Sequence, residues 1–428
     1  MYGLRRSFDL LATGLRRLAP VLMLPALACS PARGATESVT GPRTRVYYIA
    51  ADEVPWDYDP GGRDEIAGRP YADSAFFAGA RPSPVSTVYR KVLYRAYTDS
   101  TFRTLEPRPP QWAHLGFLGP VIHAVVGDTI RVVFRNNGHR PFSMHPHGVF
   151  YGKDSEGAPY HDGGSDGRTG NGVPPGGTFI YSWPVPERAG PGPMDGSSVL
   201  WMYHSHVDEA RDINTGLLGP IIVTARRMAR PDGTPRDVDR EIVTAFAQVE
   251  ENLSWLTDSN KGSQHVPGDA AHARPVPNPS ETDASYPWFV KFTINGYIHG
   301  SLPLADLTLR QGERVRWYVM ASTNDFDVHA PHWHGNDVLV GGMRTDVLSL
   351  PFMGMVVANM VPDNPGIWLF HCHVSFHNSA GMAVRYRVTS SGGSITQGRT
   401  RAPSPADVQI LSLAPPRTRA HLSPPHGR

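Results

Sequence analysis

The stretch VLWMYHSHV (residues 199–207) recurs later in the chain as GIWLFHCHV (residues 366–374). A longer pair precedes it, with GDTIRVVFRNNGHRPFSMHPHG ending at Gly148 and GERVRWYVMASTNDFDVHAPHWHG ending at Gly335. Both copies alternate short apolar runs with Gly, Pro and Asn, a pattern typical of strands and turns. The repeat predicts an all-β protein built from two tandem Greek-key β-sandwich domains.

Composition divides the chain into six segments. From the N-terminus we expect a signal peptide (1–29), a flexible stretch (30–45), domain 1 (46–225), a linker (226–240), domain 2 (241–389) and a disordered tail (390–428). The linker contains the turn-rich sequence RPDGTPRD, and the tail is rich in Ser, Gly, Pro and Arg. Residues 129–137 and 217–225 have the pattern of strands, and a Pro-rich insert at 258–286 interrupts domain 2.

The charge of the chain is nearly balanced. Its 428 residues carry a formal net charge of +2, so we expect no nucleic acid as a partner. No apolar run after residue 30 is long enough to span a bilayer.

The 43 glycines and 41 prolines favour a many-stranded protein over a helical one.

The N-terminus carries export signals. LRRSFDL (residues 4–10) has the twin-arginine form, and the apolar run LAPVLMLPALAC then ends at Cys29. An ordinary Sec signal is the alternative. Cys29 follows small residues, so both lipid attachment and simple cleavage fit the sequence. We expect an exported protein (periplasmic, cell-surface or secreted) in which Cys372, the only other cysteine, forms no intrachain disulfide.

Four His-x-His pairs lie at corresponding points of the two repeats. Chance placement of 19 histidines among 428 residues would give about one such pair. Residues i and i+2 of a strand point to the same face, so each pair directs two imidazoles to one place. Imidazole binds copper, zinc, iron or nickel. The eight histidines are His145, His147, His204, His206, His332, His334, His371 and His373.

Cys372 narrows the choice of metal. It lies between two of these histidines and therefore points to the opposite face of the strand, where His329, His377 and Met382 can join it. A thiolate with two histidines and a weak axial methionine is the ligand set of a blue-copper electron-transfer site. The sequence thus predicts copper on both faces of this strand, with Cys372 as a short covalent path for electrons between them.

The segments HPHG, HSH, HAPHWHG and HCHVSFHNSAGM together resemble the four copper signatures of the multicopper oxidases. Other segments are similar to the ceruloplasmin branch of that family: YRAYTDSTF, HLGFLGPVI, YHSHVDEARDINTGLLGP and TINGYIHGSLP. The resemblance covers residues 46–390 and implies two cupredoxin-like domains with four copper ions per chain. It also implies that a small reducing substrate gives up electrons singly at a type 1 copper, and that a trinuclear cluster reduces dioxygen to water.

The resemblance assigns a role to each ligand. It places the type 1 copper on His329, Cys372, His377 and Met382. It places the type 2 copper on His145 and His332. It places the type 3 pair on His147, His204, His206, His334, His371 and His373.

Domain 1 has lost the corresponding type 1 ligands. Phe142, Ser205 and Leu217 stand where domain 2 has His329, Cys372 and Met382, and the position of His377 falls in DEARDINT, which has no histidine. The chain also resembles the two-domain laccases, in which a neighbouring subunit completes each trinuclear cluster. A head-to-tail contact that closes forms a ring, so we expect a homotrimer with clusters at the subunit interfaces.

Oxygen reduction needs protons as well as electrons. Relatives carry a carboxylate after the HPHG element, and Asp162 in YHDGG is the candidate here, with Asp154 and Glu156 as weaker ones. All three could equally be solvated loop acids. Some relatives have a second acid two residues after the His-Cys-His motif, where this chain has Ser375.

The electron donor is the least determined feature. Ceruloplasmin holds iron beside its type 1 copper with acids and a histidine, and the matching positions here are Pro287, Phe292 and Phe376. An apolar mouth formed by Phe292 and Phe376 favours laccase-like oxidation of phenols. Asp325, close to His329 in sequence, keeps oxidation of Fe(II) or Cu(I) as the alternative. A copper nitrite reductase and a non-enzymatic copper-binding module fit less well, because no cluster ligand is missing.

Overall fold

The computed structural model describes residues 41–71, 86–163, 168–263, 289–322 and 328–390. The predicted signal peptide, residues 264–288 around the insert and residues 391–428 of the tail lie outside the described residues. The described chain is mostly β, which confirms the predicted fold class. Its helices are short, and none of those described is long and apolar enough to cross a membrane.

In the described residues of the first half of the chain there are ten strands and one α-helix. The strands are β1 (Thr44–Asp57), β2 (Arg63–Asp64), β3 (Arg69–Pro70), β4 (Val88–Tyr97), β5 (Ile122–Val125), β6 (Thr129–Asn136), β7 (His145–Pro146), β8 (Thr178–Pro184), β9 (Ser198–His204) and β10 (Leu218–Thr224), with helix α1 at Glu209–Thr215. Strands β6 and β10 confirm the two strand predictions made from sequence. Sheet 1 has the order β4-β1-β6-β8, and sheet 2 has the order β5-β10-β9-β7.

The second half forms twelve described strands and two helices. The strands are β11 (Arg240–Glu250), β12 (Val290–Ile294), β13 (Thr308–Arg310), β14 (Val315–Ser322), β15 (Val328–His329), β16 (Pro331–Trp333), β17 (Val338–Val340), β18 (Met343–Thr345), β19 (Leu350–Pro351), β20 (Met355–Met360), β21 (Gly366–Cys372) and β22 (Ala383–Thr389). The helices are α2 (Thr257–Ser263) and α3 (Ser375–Ser379). Sheet 3 has the order β12-β11-β14-β20-β17-β18, and sheet 4 has the order β13-β22-β21-β16.

The two halves share one topology. Strand β1 runs parallel to β6 and antiparallel to β4, as β11 runs parallel to β14 and antiparallel to β12. Strand β10 runs parallel to β5 and antiparallel to β9, as β22 runs parallel to β13 and antiparallel to β21. The repeat seen in the sequence is therefore a repeat of the whole sandwich.

The four sheets stack in the order 1, 2, 3, 4. One apolar cluster fills the space between sheets 1 and 2, a second joins sheets 2 and 3, and a third fills the space between sheets 3 and 4. Strand β6 alternates buried and less buried residues, because only one of its faces is packed. Every residue of β14 is buried, because sheet 3 is covered on both faces.

A glycine follows the first His-x-His motif of each half at the same structural position. Gly148 and Gly335 have φ angles of 76° and 73°. A β-carbon would lie 2.1 Å from the ring of Trp201 at the first position and 2.3 Å from the ring of Trp368 at the second. Only glycine combines this left-handed backbone with the tryptophan packed directly on it, so both His-x-His turns keep the same shape.

Candidate metal centres

The first metal centre is a group of four histidines on sheet 2. His145 lies directly opposite His204 in the ladder between β7 and β9. The Nε2 atoms of His147 and His204 are 3.0 Å apart, and the ring of His206 lies 5.1 Å from that of His145. Antiparallel pairing thus brings together two His-x-His motifs that are far apart in sequence. We call these residues the first histidine group.

The second metal centre repeats this arrangement on sheet 4. His332 lies directly opposite His371 in the ladder between β16 and β21. The Nε2 atoms of His334 and His371 are 3.1 Å apart, and the ring centroids of His332 and His373 are 5.0 Å apart. We call these four residues the second histidine group. All eight histidines predicted for the trinuclear cluster therefore lie in two groups of four.

Backbone carbonyls orient several of these rings. The Nδ1 atoms of His145, His204 and His371 lie 2.7, 3.0 and 2.7 Å from the carbonyl oxygens of Glu156, Ser205 and Cys372. A ring that donates from Nδ1 leaves Nε2 free to bind a metal.

Burial lowers the pKa of several of these rings and so favours their neutral form, which is the form that binds metal ions. Burial, followed by the neighbouring His145 and His206, lowers the pKa of His147 to about 4. Burial likewise lowers the pKa of His371 to about 4, against the effect of its hydrogen bond to the Cys372 carbonyl. His147 and His371 can therefore bind a metal ion at neutral pH without first releasing a proton.

The third metal centre lies on the other face of β21. The Sγ atom of Cys372 is 3.9 Å from Nδ1 of His329 and 3.5 Å from Nδ1 of His377. Met382 is fully buried beside them, and the backbone N–H of Cys372 donates to the Met382 carbonyl at 3.0 Å. The Ala330 N–H donates to the thiol sulfur at 3.3 Å. The predicted two-histidine, one-cysteine set is assembled in the core between sheets 3 and 4.

These donor sets suit copper. The ligand atoms of His329, Cys372 and His377 all lie within 4.8 Å of one another, as do those of three histidines in each histidine group. A soft thiolate with two imidazoles and a thioether selects copper among the common metals, and all-imidazole sites also accept it.

The predicted proton-relay acid Asp162 contacts basic side chains. Its carboxylate pairs with Arg168 at 2.6 Å and is 3.5 Å from the amine of Lys153. Asp154 is exposed and faces Arg168. Of the three predicted acids, Glu156 is the one with a contact to this group: its backbone carbonyl contacts the His145 ring, while its carboxylate pairs with Lys153 at 2.7 Å. A proton role for Asp162 stays a prediction.

Two carboxylates that contact the histidine groups did not emerge from sequence reasoning. Glu209, at the start of α1, lies 3.4 Å from Nε2 of His206. Asp346 lies 3.5 Å from Nε2 of His332. A sequence signal existed for Glu209, which stands three residues after His206 at the start of a helix. Asp346 follows the HWHG element by eleven residues and reaches the site only through the fold.

Of the three residues predicted to contact the substrate, two are described by the structure, and they differ in burial. Phe292 is only 1 % exposed, and its ring lies 4.9 Å from the His377 ring. Phe376 is half-buried and packs edge-on against Phe292, with the centroids 5.3 Å apart. Phe292 therefore supports a metal ligand from within the core and does not line an open mouth. Contact of a donor with Phe376 stays a prediction, and Asp325 lies outside the described residues.

The two histidine groups lie on different layers of the molecule. Sheet 3 separates sheet 2 from sheet 4, and stacked sheets lie about 10 Å apart. Within the part of the chain that the structure describes, no ring contact joins the first histidine group to the second. Each group is therefore half of a possible cluster of eight histidines.

Comparison with known proteins agrees with this architecture. Two sequence models of the multicopper oxidase family match the chain, one over residues 112–228 and the other over residues 274–392. The chain belongs to the multicopper oxidase family, whose members are copper-binding oxidoreductases.

Three curated human relatives are similar over most of this chain. Ferroxidase HEPHL1 is 39 % identical over 360 residues, covering 82 % of this chain and 30 % of the relative. Hephaestin is 38 % identical over 363 residues, covering 82 % and 30 %. Ceruloplasmin is 34 % identical over 362 residues, covering 82 % and 33 %. The chain thus spans about a third of the length of these relatives.

A solved structure supports the fold. The multicopper oxidase mgLAC aligns with a TM-score of 0.51 and 17 % sequence identity, covering 84 % of this chain and 89 % of that one. At this identity the likeness concerns the arrangement of strands alone.

Proposed function

We propose that this protein is a multicopper oxidase that oxidises Fe(II) with dioxygen. Four Fe(II) ions each lose one electron, and one O2 with four protons becomes two waters. The observation that carries the proposal is the position of Cys372, whose sulfur belongs to one metal centre while its two neighbours, His371 and His373, belong to another. Copper bound in these centres supplies one-electron redox chemistry.

The chain itself provides the path between the two centres. Cys372 and His371 are adjacent in β21 and point to opposite faces of sheet 4. The carbonyl of Cys372 also accepts a hydrogen bond from Nδ1 of His371 at 2.7 Å. A covalent path and a hydrogen-bonded path therefore join the electron-accepting site to the oxygen-reducing site.

Fe(II) is favoured over a phenol by two observations. The similar human proteins HEPHL1, hephaestin and ceruloplasmin include one named a ferroxidase, and all three are 34–39 % identical to this chain. A preference for phenols would depend on an apolar surface formed by Phe292 and Phe376. Phe292 adds almost nothing to that surface, because it is buried against His377. The laccase-like interpretation of the sequence is thus supported less well than its metal-oxidising alternative.

Two acidic residues lie on the segment that packs beside the type 1 ligands. The backbone N–H of His299 donates to the Gly381 carbonyl, next to Met382, and its ring is 3.5 Å from the Asp64 carboxylate. Glu65 follows Asp64 on the same segment. Asp64 is engaged by His299 and Glu65 by Arg385 at 2.9 Å, so neither carboxylate is a free ligand for iron.

The test is oxygen uptake by the copper-loaded protein with Fe(II) or a methoxyphenol at matched concentrations. We expect faster uptake with Fe(II), at a ratio of one O2 to four Fe(II). Faster uptake with the phenol would contradict the proposed donor and leave the oxidase intact. Four copper ions per chain would separate the oxidase from a nitrite reductase, which needs two, and from a simple copper-binding module.

We also propose that the chain works as a closed homotrimer. The second histidine group is on the face of sheet 4 that carries Ile367, which is 54 % exposed, and Val347 beside His332 is 40 % exposed. Phe150, next to the first histidine group, is 50 % exposed. Burial of these apolar surfaces against another copy would bring the two half-sites together. Sedimentation should give three chains, and a monomer with four copper ions would contradict this assembly.

We further propose that the protein is exported, on the basis of its twin-arginine-like N-terminus. A lipid at Cys29 is the more specific form of this proposal. Mass spectrometry of the mature N-terminus separates a lipidated Cys29 from a cleaved chain.

A further inference from the structure

In the first half of the chain, the positions that correspond to the type 1 ligands form a pocket with similar backbone contacts. Hydrogen bonds between side chains occupy this pocket. The Ser143 N–H donates to Oγ of Ser205 at 3.0 Å, just as the Ala330 N–H donates to Sγ of Cys372 at 3.3 Å. Phe142 and Leu217, at the positions of His329 and Met382, are fully buried. The pocket has lost its metal ligands and retained its backbone geometry.

Asp212 stands where the second half has His377. Its carboxylate is fully buried, and Oδ2 accepts a hydrogen bond from Oγ of Ser205 at 2.6 Å. The backbone N–H groups of Val207 and Asp208 donate to the same oxygen at 3.1 and 3.2 Å. The indole of Trp255 donates to Oδ1 at 2.8 Å. Four donors thus satisfy a carboxylate that replaces a metal ligand.

This network continues to the backbone of the first histidine group. Ser205 lies between His204 and His206, and its carbonyl is 3.0 Å from Nδ1 of His204. Ser143 joins the network through its N–H, and its hydroxyl accepts the N–H of His206 at 3.0 Å. The same hydroxyl donates to the carbonyl of Gly157, the residue after Glu156, whose carbonyl contacts the His145 ring.

We propose that Asp212 is a positioning residue for the first histidine group, and that the vacated type 1 pocket serves as its support. Groups that hydrogen-bond around metal ligands fix ligand orientation, and their loss commonly lowers metal affinity 10–100-fold. The inference rests on the proposed function, because it assumes that copper binds this group. It adds that this pocket, which has no metal ligands of its own, controls how tightly the first histidine group binds copper.

Asp128 offers a matched control in the same half of the chain. Its carboxylate is also buried and accepts from the Arg43 N–H at 3.0 Å, from Arg45 at 2.6 Å and from Arg226 at 2.8 Å. It stands at the start of β6 and makes no contact with a histidine of the first group among the described residues. Its loss should destabilise the fold without disturbing the cluster.

The experiment compares Asp212→Asn, Trp255→Phe and Asp128→Asn with the wild type, and uses His206→Ala to mark a damaged cluster. Copper per chain, the type 2 electron paramagnetic resonance signal and the blue absorbance are measured, together with the melting temperature of the copper-free proteins. We expect Asp212→Asn to weaken copper binding to the cluster by at least 10-fold and to alter the type 2 signal, with the blue absorbance unchanged. Trp255→Phe, which removes one donor, should show a smaller change of the same kind.

The controls separate positioning from general stability. Asp128→Asn should lower the melting temperature and keep four copper ions with a normal type 2 signal. Asp212→Asn and Trp255→Phe with wild-type copper content and signal would overturn this inference alone. Equal copper loss in Asp128→Asn would also overturn it. A wild type that holds only the blue copper would overturn the proposed function together with this inference.

Discussion

The ring of Phe292 lies on the imidazole of His377, with the two centroids 4.9 Å apart. Phe292 is almost completely buried, so this contact holds a metal ligand in place from the interior. Replacement of a buried phenylalanine by alanine commonly costs about 3–5 kcal/mol. We expect Phe292→Ala to lower the free energy of unfolding by that amount and to weaken the blue absorbance, measured by chemical denaturation and visible spectroscopy.

Phe376 provides the matched comparison, because it packs on Phe292 but is only partly buried. Phe376→Ala should cost less stability and leave the KM for Fe(II) unchanged. A large increase in the KM for a methoxyphenol in Phe376→Ala, with phenol the faster donor in the wild type, would support the aromatic mouth predicted from the sequence.

Cys372 lies in the chain between two histidines of one metal centre and contributes its sulfur to the other. Serine fits the same space and can still accept the Ala330 N–H, so the core should remain packed. A hydroxyl is a poor copper ligand in a soft site. We expect Cys372→Ser to lose the blue absorbance and all donor oxidation, to retain its melting temperature in the copper-free form, and to keep the type 2 copper signal. Blue absorbance in this variant would contradict the ligand assignment.

Much of this site could be predicted from sequence because its geometry is local. His371 and Cys372 are the last two residues of β21 and His373 follows directly, so the faces to which they point follow from strand periodicity. The burial of Phe292 against His377 could not be predicted, because it depends on how β12 packs over α3. The contact of Asp346 with His332 likewise depends on a loop conformation.

The pairing of the histidines followed from the repeat, whereas the separation of the two groups was expected only from the resemblance to the two-domain laccases. The motifs indicate eight similar ligands, and only the stacking of the sheets shows that sheet 3 lies between the two groups. The role of Asp212 was equally hidden, because one acid in DEARDINT has no distinguishing pattern. Its importance comes from donors as distant in sequence as Trp255.

Asp59 should make the protein less stable as the pH rises. The side chain of Asp59 is buried, and burial raises its pKa to about 6 against the effect of backbone hydrogen bonds from Arg63 and Gly61. The unfolded value is near 4. The folded state therefore favours the protonated form, and the stability it contributes is fully present below about pH 4 and lost as the pH rises through about 6. We expect Asp59→Asn to raise the free energy of unfolding by roughly 2 kcal/mol at neutral pH and to change it little near pH 4.

Asp239 is a control whose pKa is shifted in the opposite direction, downward. Hydrogen bonds from Arg314 lower its pKa to about 2, so its contribution is present above pH 4 and is lost as the pH falls through 2. Asp239→Asn should therefore be less stable than the wild type at neutral pH, measured by denaturant titration across the range. A stabilising effect of Asp59→Asn that did not vary with pH would contradict the titration of Asp59.

Gly381, next to the predicted type 1 ligand Met382, should not tolerate a side chain. Its φ is 115°, and a β-carbon would lie 2.8 Å from Cδ2 and Nε2 of the His299 ring. That ring is held by Asp64 at 3.5 Å and packs against Tyr71, so it has little room to move away. In Gly381→Ala the chain around Met382 must shift instead. We expect a shifted reduction potential of the blue copper, since the axial ligand tunes it, together with a lower melting temperature.

Gly312→Ala is a control that separates the effect of backbone strain from the effect of the contact with His299. Gly312 also has a positive φ, 79°, but a β-carbon there would meet nothing within 4 Å. This variant should lose roughly 1–2 kcal/mol of stability from backbone strain alone and keep the wild-type potential. If Gly381→Ala lost no more stability than Gly312→Ala and kept the same potential, the contact with His299 would not control Met382. A larger loss with a shifted potential would show that the segment carrying Asp64, contributed by the first half of the chain, sets the geometry of the type 1 site in the second.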